Sequence, residues 1–234
     1  MEISENLTYV KQEIMKTAGN AGRDPDEIKL VVVTKEKPAN VVKEVLEAGA
    51  KSIGESYLQE AEFKMELLSD FEIDWHMIGH IQGSKANRVA ALFDYIHSVD
   101  RLQIADQLNQ AAQDLNRVLP VLLEFNLSGE TTKYGWRAED ENDWESLAED
   151  LEPVMEMSNL EINGLMTMAP YYEDQEKARP IFRKLRKLRN FFRGRFEEHD
   201  LPELSMGMSG DYHVAIEEGA TILRIGSAIV GPRT

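Results

Sequence analysis

The sequence predicts a single (β/α)₈ barrel with an extra helix at its N-terminal end. Eight short apolar segments, each typical of a buried strand, recur along the 234 residues. All but the last are followed by a segment with helical spacing of apolar residues, and this alternation implies parallel strands joined by crossovers. An open doubly wound sheet would also alternate in this way, but eight units in this length favour a closed barrel. Since no linker, repeat or low-complexity tract interrupts the pattern, residues 1–234 are expected to form one domain.

The elements can be assigned in order from the apolar pattern. A helix is predicted over residues 3–20, before the first strand, because the apolar residues Leu7, Val10 and Ile14 are spaced three or four positions apart. Pro153 is expected to kink the fifth of the later helices, over residues 143–157, or end it early. The predicted strands cover residues 28–35, 51–56, 73–79, 94–99, 119–127, 160–168, 203–208 and 221–225, and the helices after the first seven cover residues 41–49, 57–68, 85–92, 102–115, 143–157, 175–198 and 210–216.

Composition excludes several classes of protein. The chain has no cysteine, which excludes disulfides and thiolate metal sites. Its formal net charge of -16 predicts repulsion of nucleic acids and anionic membranes, so neither is expected as a partner. No apolar run approaches the ~20 residues that span a bilayer. The first six residues lack the basic and apolar stretches of a signal peptide, so a cytoplasmic location is expected.

Lys35 follows the most apolar of the predicted strands, Ile28-Lys-Leu-Val-Val-Val33. Ligands bind at the carboxyl ends of the strands in both parallel architectures. Partial burial there would lower the pKa of the lysine and favour the neutral amine, the form that attacks carbonyls. A lysine in this position is, however, more often a surface residue whose charged end reaches the solvent.

A phosphate site is predicted where the last two strands end. Barrels commonly hold phosphate with the loops after strands seven and eight. Ser209 follows the seventh strand, and Gly226 and Ser227 follow the eighth, where a glycine allows the backbone to approach an anion closely. An alternative role for Ser209 is to cap the helix that begins near Gly210.

A lysine and a phosphate site on one rim suit two chemistries. One is binding of pyridoxal 5′-phosphate (PLP), and the other is an aldolase that forms a Schiff base with a sugar phosphate. With PLP, Arg224 would lie opposite the pyridine nitrogen and keep it unprotonated. His76 and His80 have no carboxylate close in sequence, so packing or hydrogen bonding is expected of them. No metal site is predicted.

Several motifs resemble those of the pyridoxal phosphate homeostasis proteins, the YggS/PROSC family, which have the barrel of the alanine racemase N-terminal domain. The resemblance covers about residues 28–231. The motifs that carry it are Val-Thr-Lys-Glu-Lys-Pro at 33–38, Gly-Glu-Ser-Tyr-Leu-Gln-Glu at 54–60, Trp-His-Met-Ile-Gly-His-Ile-Gln at 75–82, Ile-His-Ser-Val-Asp at 96–100, Asn-Leu-Ser-Gly-Glu at 126–130, Gly-Leu-Met-Thr-Met at 164–168, Leu-Ser-Met-Gly-Met-Ser at 204–209 and Arg-Ile-Gly-Ser-Ala-Ile at 224–229.

The resemblance implies that Lys35 forms the imine with PLP and that Arg224 faces the pyridine nitrogen. Ser209 would hold the phosphate together with the backbone of Gly226 and Ser227, which are the positions already selected by their place on the rim.

The resemblance also places Ser56, Asn126 and Met206 at the cofactor. Ser56 is a departure, because the family usually has Asn there, and one hydrogen bond to the cofactor is therefore in doubt. Ser227 replaces a usual Thr and keeps the hydroxyl, and Glu36 stands where a small polar residue is common.

The implied function is PLP homeostasis by a monomer that holds the cofactor as a lysine Schiff base without catalytic turnover. PLP-dependent apo-enzymes would be its recipients, and no catalytic residue is assigned. The alternative is a PLP-dependent amino-acid racemase, which needs a proton acceptor on each face of Cα. Tyr57, Tyr134 and Tyr171 could reach the rim, but nothing marks one of them. A weaker alternative is the Schiff-base aldolase, with Glu55 as the candidate for proton transfer.

Overall fold

The computed structural model describes residues 2–232 and contains a closed barrel of eight parallel strands. The strands are β1 (Lys29–Val33), β2 (Ser52–Glu55), β3 (Asp74–Met77), β4 (Tyr95–Val99), β5 (Leu119–Asn126), β6 (Trp136–Arg137), β7 (Leu160–Met166), β8 (Glu203–Ser205) and β9 (Ile222–Ile225). Around the barrel the order is β4-β3-β2-β1-β9-β8-β7-β5, and pairing of β4 with β5 closes it. The predicted barrel is therefore confirmed over the open sheet.

Helices cover the outside of the barrel, and the extra N-terminal helix is present. That helix packs against the last two helices of the chain. Because the helix after β9 is only four residues long, the N-terminal helix covers the part of the barrel that a longer last helix would cover. Within residues 2–232 no helix is long and apolar enough to cross a membrane. The helices are α1 (Ile3–Asn20), α2 (Ala39–Glu47), α3 (Leu58–Leu67), α4 (Ala86–Leu92), α5 (Leu102–Asp114), α6 (Trp144–Met155), α7 (Arg179–Arg195), α8 (Tyr212–Glu217) and α9 (Ser227–Val230).

Two details differ from the prediction. The loop after β5 contains the two-residue strand β6, which pairs with the end of β5 and is too short to leave an apolar pattern. Helix α6 does not end at Pro153 but continues to Met155. Pro153 removes one intrahelical hydrogen bond, to the carbonyl four residues earlier, and the helix ends two residues after it.

The apolar side chains form two separate clusters. The larger one lies between the strands and the surrounding helices. The smaller one fills the inside of the barrel and consists of Val31, Tyr95, Leu122, Met166 and Ile222. Next to this smaller cluster the barrel interior is polar, because the side chains of four buried polar residues lie there: His76, His97, Ser205 and Arg224. Burial of so many polar groups requires that they bond to one another.

Candidate cofactor site at the carboxyl ends of the strands

A cavity of about 350 Å³ opens at the carboxyl ends of β1 and β9. Lys35, two residues beyond the end of β1, lines it. Ser209, Arg224, Gly226 and Ser227 line the same cavity. The structure thus brings together five residues that the sequence analysis selected, and we call this space the Ser209 cavity.

One side of the Ser209 cavity presents hydrogen-bond donors. Within residues 2–232 the amide N–H groups of Gly226 and Ser227 donate to no protein acceptor. A Cβ atom at Gly226 would lie 3.2 Å from the carbonyl oxygen of Val33, so a side chain there would press on β1. Successive free backbone N–H groups form a concavity that suits an anion. This donor set fits a phosphate group.

Ser209 does not cap helix α8, whose N-cap residue is Asp211. Its hydroxyl oxygen instead accepts a hydrogen bond from the amide of Ala228 at 3.2 Å. Ser209 therefore joins the loop after β8 to the first turn of α9. The hydroxyl proton is left for an acceptor in the cavity, because the oxygen uses a lone pair for Ala228.

Arg224 places a buried positive charge at the floor of the cavity. Its guanidinium donates to the Ser205 hydroxyl at 2.5 Å and to the Thr167 carbonyl at 2.8 Å. Burial lowers the pKa of Arg224 to about 10, against the opposing effect of Glu124 and Asp211. The side chain is still charged at neutral pH, and the two bonds fix its orientation.

A chain of hydrogen bonds continues from Arg224 into the barrel. The Ser205 hydroxyl bonds to Nδ1 of His97 at 2.8 Å, and Nε2 of His97 bonds to Nδ1 of His76 at 2.9 Å. Burial lowers the pKa of His97 well below its ordinary value and that of His76 to about 3. Both imidazoles are therefore neutral at pH 7. We call Arg224, Ser205, His97 and His76 the interior column.

Lys35 follows a segment that a buried lysine holds in place. Lys64 of α3 is 1% exposed, and its ammonium donates to the Thr34 carbonyl at 2.8 Å and to Glu55 at 2.6 Å. The Thr34 hydroxyl donates to Glu55 at 2.5 Å. Burial raises the pKa of Glu55, and Lys64 opposes that rise. These bonds fix the residue directly before Lys35.

Lys64 is not among the site residues predicted above, although the sequence carries a signal for it. Lys64 lies three residues after Ala61 and four before Leu68, both buried, and so on the inward face of α3. Oε1 of Glu55 is bonded to Lys64 and Thr34, and Glu55 lines neither of the two large cavities beside Lys35.

Three of the predicted residues lie outside the Ser209 cavity. Ser56 lines a second cavity on the other side of Lys35. The Asn126 amide donates to the Glu130 carbonyl at 2.8 Å and orders the loop after β5. The Met206 side chain is buried in the cluster between barrel and helices.

The second cavity, of about 480 Å³, is lined by Lys35, Ser56, His80, Lys85 and Glu124 among others, and we call it the His80 cavity. His80 makes a hydrogen bond, as predicted, and its partner is a carboxylate that is distant in sequence. Its Nδ1 lies 2.8 Å from the carboxylate of Asp100, 20 positions later. No group of three or more His, Asp or Glu side chains within residues 2–232 could hold a metal ion.

Comparison with known proteins identifies the family. Residues 15–234 match the family model of the alanine racemase N-terminal domain. A pyridoxal phosphate homeostasis protein of Aquifex aeolicus is 42% identical over 233 residues, which cover 100% of this chain and 99% of that protein. The chain belongs to the pyridoxal phosphate homeostasis family.

Solved structures agree with membership of the pyridoxal phosphate homeostasis family. PipY of Synechococcus elongatus PCC7942, with PLP bound, has a TM-score of 0.84 and 30% identity, and the match covers 98% of this chain and 100% of that one. An alanine racemase of Clostridium difficile 630 has a TM-score of 0.69 at 14% identity over 96% of this chain and 56% of that one. The latter likeness concerns the fold alone.

Proposed function

We propose that this chain binds PLP in the Ser209 cavity and holds it as an imine on Lys35. The observation that carries the proposal is that Lys35, the free amides of Gly226 and Ser227, and the buried Arg224 guanidinium all face one cavity. PipY, at 30% identity, was solved with PLP bound, and the Aquifex relative is named for PLP homeostasis. The donor set fits the cofactor's phosphate, and the lysine fits its aldehyde.

Each residue has a distinct task in this proposal. PLP itself supplies an aldehyde that forms imines with amines and a ring that withdraws electrons. The Ser209 hydroxyl and the amides of Gly226 and Ser227 hold the phosphate. Arg224 would face the pyridine nitrogen, where its fixed positive charge disfavours protonation of that nitrogen. The unprotonated ring withdraws electrons less strongly.

The proposed role is to store and deliver PLP without catalytic turnover. Relatives are named as homeostasis proteins and not as enzymes. Tyr171, one candidate for the second proton acceptor of a racemase, lines the Ser209 cavity but is 87% exposed. Residues 1–234 would act as one PLP-binding domain, as a monomer, with PLP-dependent apo-enzymes as recipients.

Lysine attachment is tested by PLP titration and borohydride reduction. We expect an absorbance band of the imine with wild-type protein and, after reduction and proteolysis, a pyridoxyl group on the peptide that carries Lys35. Lys35→Ala should lose both signals. Lys43→Ala, on exposed helix α2, is the control for reaction of surface lysines. Labelling that persists in Lys35→Ala at the wild-type level would disprove the assignment.

The absence of turnover is tested with the PLP-loaded protein and single-enantiomer alanine. Chiral chromatography over many hours should show less than one inversion per protein molecule. Steady inversion over many turnovers that depends on Lys35 would establish the racemase instead.

A further inference from the structure

The two cavities meet at Lys35, because Lys35, Ile78 and Met168 line both. If PLP occupies the Ser209 cavity, as proposed above, the His80 cavity lies against the lysine that carries it. A molecule bound in the His80 cavity would therefore be a direct neighbour of the cofactor's attachment point.

Glu124 gives the His80 cavity a buried acceptor. Its side chain is 3% exposed, and it makes no hydrogen bond with any residue among 2–232. Because Glu124 lines the cavity, its carboxyl oxygens can accept hydrogen bonds from the N–H groups of a ligand there. Burial and the nearby Asp100 raise the pKa of Glu124 to about 7, which Arg224 opposes. A cationic ligand there would favour the charged form of Glu124.

Lys85 gives the cavity a cation at a different point of its wall. Lys85 ends the short turn of helix Gly83–Lys85 before α4. Its ammonium forms no hydrogen bond or ion pair with the described part of the chain, despite the net charge of -16. The ammonium is therefore available to an anionic group.

His80 completes the wall with a fixed orientation. A carboxylate can only accept, so Nδ1 of His80 donates to Asp100 and Nε2 is left without a partner within residues 2–232. The ring of Tyr134 stacks on His80 at 3.6 Å between centroids. Asp100 is itself held by Arg101 at 2.5 Å. The imidazole thus keeps one place in the wall.

We propose that the His80 cavity binds a small α-amino acid, with its amino group toward Glu124 and its carboxylate toward Lys85. A zwitterion suits both groups, because its ammonium can donate to Glu124 and its carboxylate can accept from Lys85, whereas a simple anion or a simple amine suits only one of them. Bound there, the amino acid lies beside Lys35.

Isothermal calorimetry with three related probes tests the inference on the full chain, both PLP-free and after borohydride reduction of the PLP-loaded form. L-Alanine carries both groups, L-alaninamide lacks the carboxylate, and L-lactate lacks the amine. We expect L-alanine to bind about tenfold more tightly than either analogue, which corresponds to about 1.4 kcal/mol for each lost contact. Equal affinity for all three, or no saturable binding of L-alanine, would overturn the inference.

Two variants assign the ends of the ligand. Glu124→Gln should weaken L-alanine about tenfold and leave L-lactate unchanged, and Lys85→Gln should weaken L-alanine similarly and leave L-alaninamide unchanged. Lys43→Gln is the control. Should a variant fail to fold by circular dichroism, the comparison of the three probes on wild-type protein still decides the matter.

The same samples separate this inference from the proposed function. PLP titration that labels Lys35 while L-alanine does not bind would refute the amino-acid site alone. L-Alanine binding with the expected probe order, but without any PLP on Lys35, would refute the cofactor proposal and keep the amino-acid site.

Discussion

Glu124 shows most clearly how a single side chain can oppose the stability of the fold. It lies on β5 between the apolar residues Leu123 and Phe125, and its carboxyl group points into the barrel. Its pKa is raised to about 7 because burial and Asp100 disfavour the charged form more than Arg224 favours it. The folded protein therefore holds this proton more tightly than the unfolded chain.

The free energy of unfolding should fall with rising pH because of Glu124. Its pKa rises from 4.5 in the unfolded chain to about 7 in the folded protein, so the loss develops between these pH values. The upper limit of the loss is about 3 kcal/mol. We expect Glu124→Gln to be more stable than wild type at pH 8 and to lose this advantage at pH 4.5, as measured by urea unfolding.

The control for Glu124→Gln is Glu47→Gln, at an exposed ion pair with Lys43 on α2. It should be nearly neutral at both pH values. A stability difference for Glu124→Gln that is the same at pH 4.5 and pH 8 would contradict the raised pKa.

At the scale of elements, α3 supports the end of β1 through one side chain. Replacing Lys64 by Met would remove the cation that pairs with buried Glu55, which would keep only its bond from the Thr34 hydroxyl, and would take the donor from the Thr34 carbonyl. Loss of one partner from a buried ion pair typically costs about 3–5 kcal/mol. We expect Lys64→Met to lower the free energy of unfolding by that amount and to weaken PLP binding, since Lys35 follows Thr34 directly.

The double variant Lys64→Met with Glu55→Gln separates charge from packing. It should recover part of the lost stability, because the second change removes the unpaired charge. Equal stability of the single and double variants in urea would show that the ion pair is not what holds the segment.

Strands β7 and β8 approach so closely that one position between them must be glycine. Gly164 has a φ of +156°, and a Cβ atom there would lie 1.9 Å from the Glu203 carbonyl oxygen. Gly164→Ala must separate the two strands and should cost more than about 2 kcal/mol. Gly194→Ala, on helix α7 with nothing within 4 Å, should instead add about 0.5–1 kcal/mol. Thermal unfolding compares the two, and equal effects would refute the close approach.

For the whole molecule, the net charge of -16 implies self-repulsion in the folded state. Salt should screen it, so the melting temperature at pH 7.5 should rise between about 0.01 and 0.3 M NaCl, as the Debye length falls from about 30 Å to below 8 Å. Near the sequence pI of 4.8 this rise should vanish. A salt effect of equal size at both pH values would point to causes other than net charge.

The barrel could be predicted from sequence because its signals are local. Each strand coincides with a short apolar run in the sequence. The ends of these runs are enough to place Lys35 and Gly226 at the ends of strands. The pairing of His80 with Asp100 could not be predicted, since it depends on β3 lying beside β4. Glu124 is visible in the sequence as the only charged residue of an apolar strand. That it lacks a hydrogen-bond partner among the described residues can be seen only in the structure. Met206 and Asn126 lie in motifs shared with the family and were therefore expected at the cofactor. In the structure the Met206 side chain packs in the core, and the Asn126 side chain orders the loop after β5.

The interior column joins the centre of the barrel to the Arg224 guanidinium, which lines the Ser209 cavity, so acid should damage the barrel and the cavity together. His76 must gain a proton in the unfolded chain at a pH near 6.5 but resists it in the folded protein to about pH 3. Stability from this residue is present above pH 6.5 and is lost as the pH falls through that interval. Protonation would break the chain of bonds that ends at Arg224. Circular dichroism and PLP absorbance, followed together in an acid titration, should therefore lose their native signals over the same pH interval.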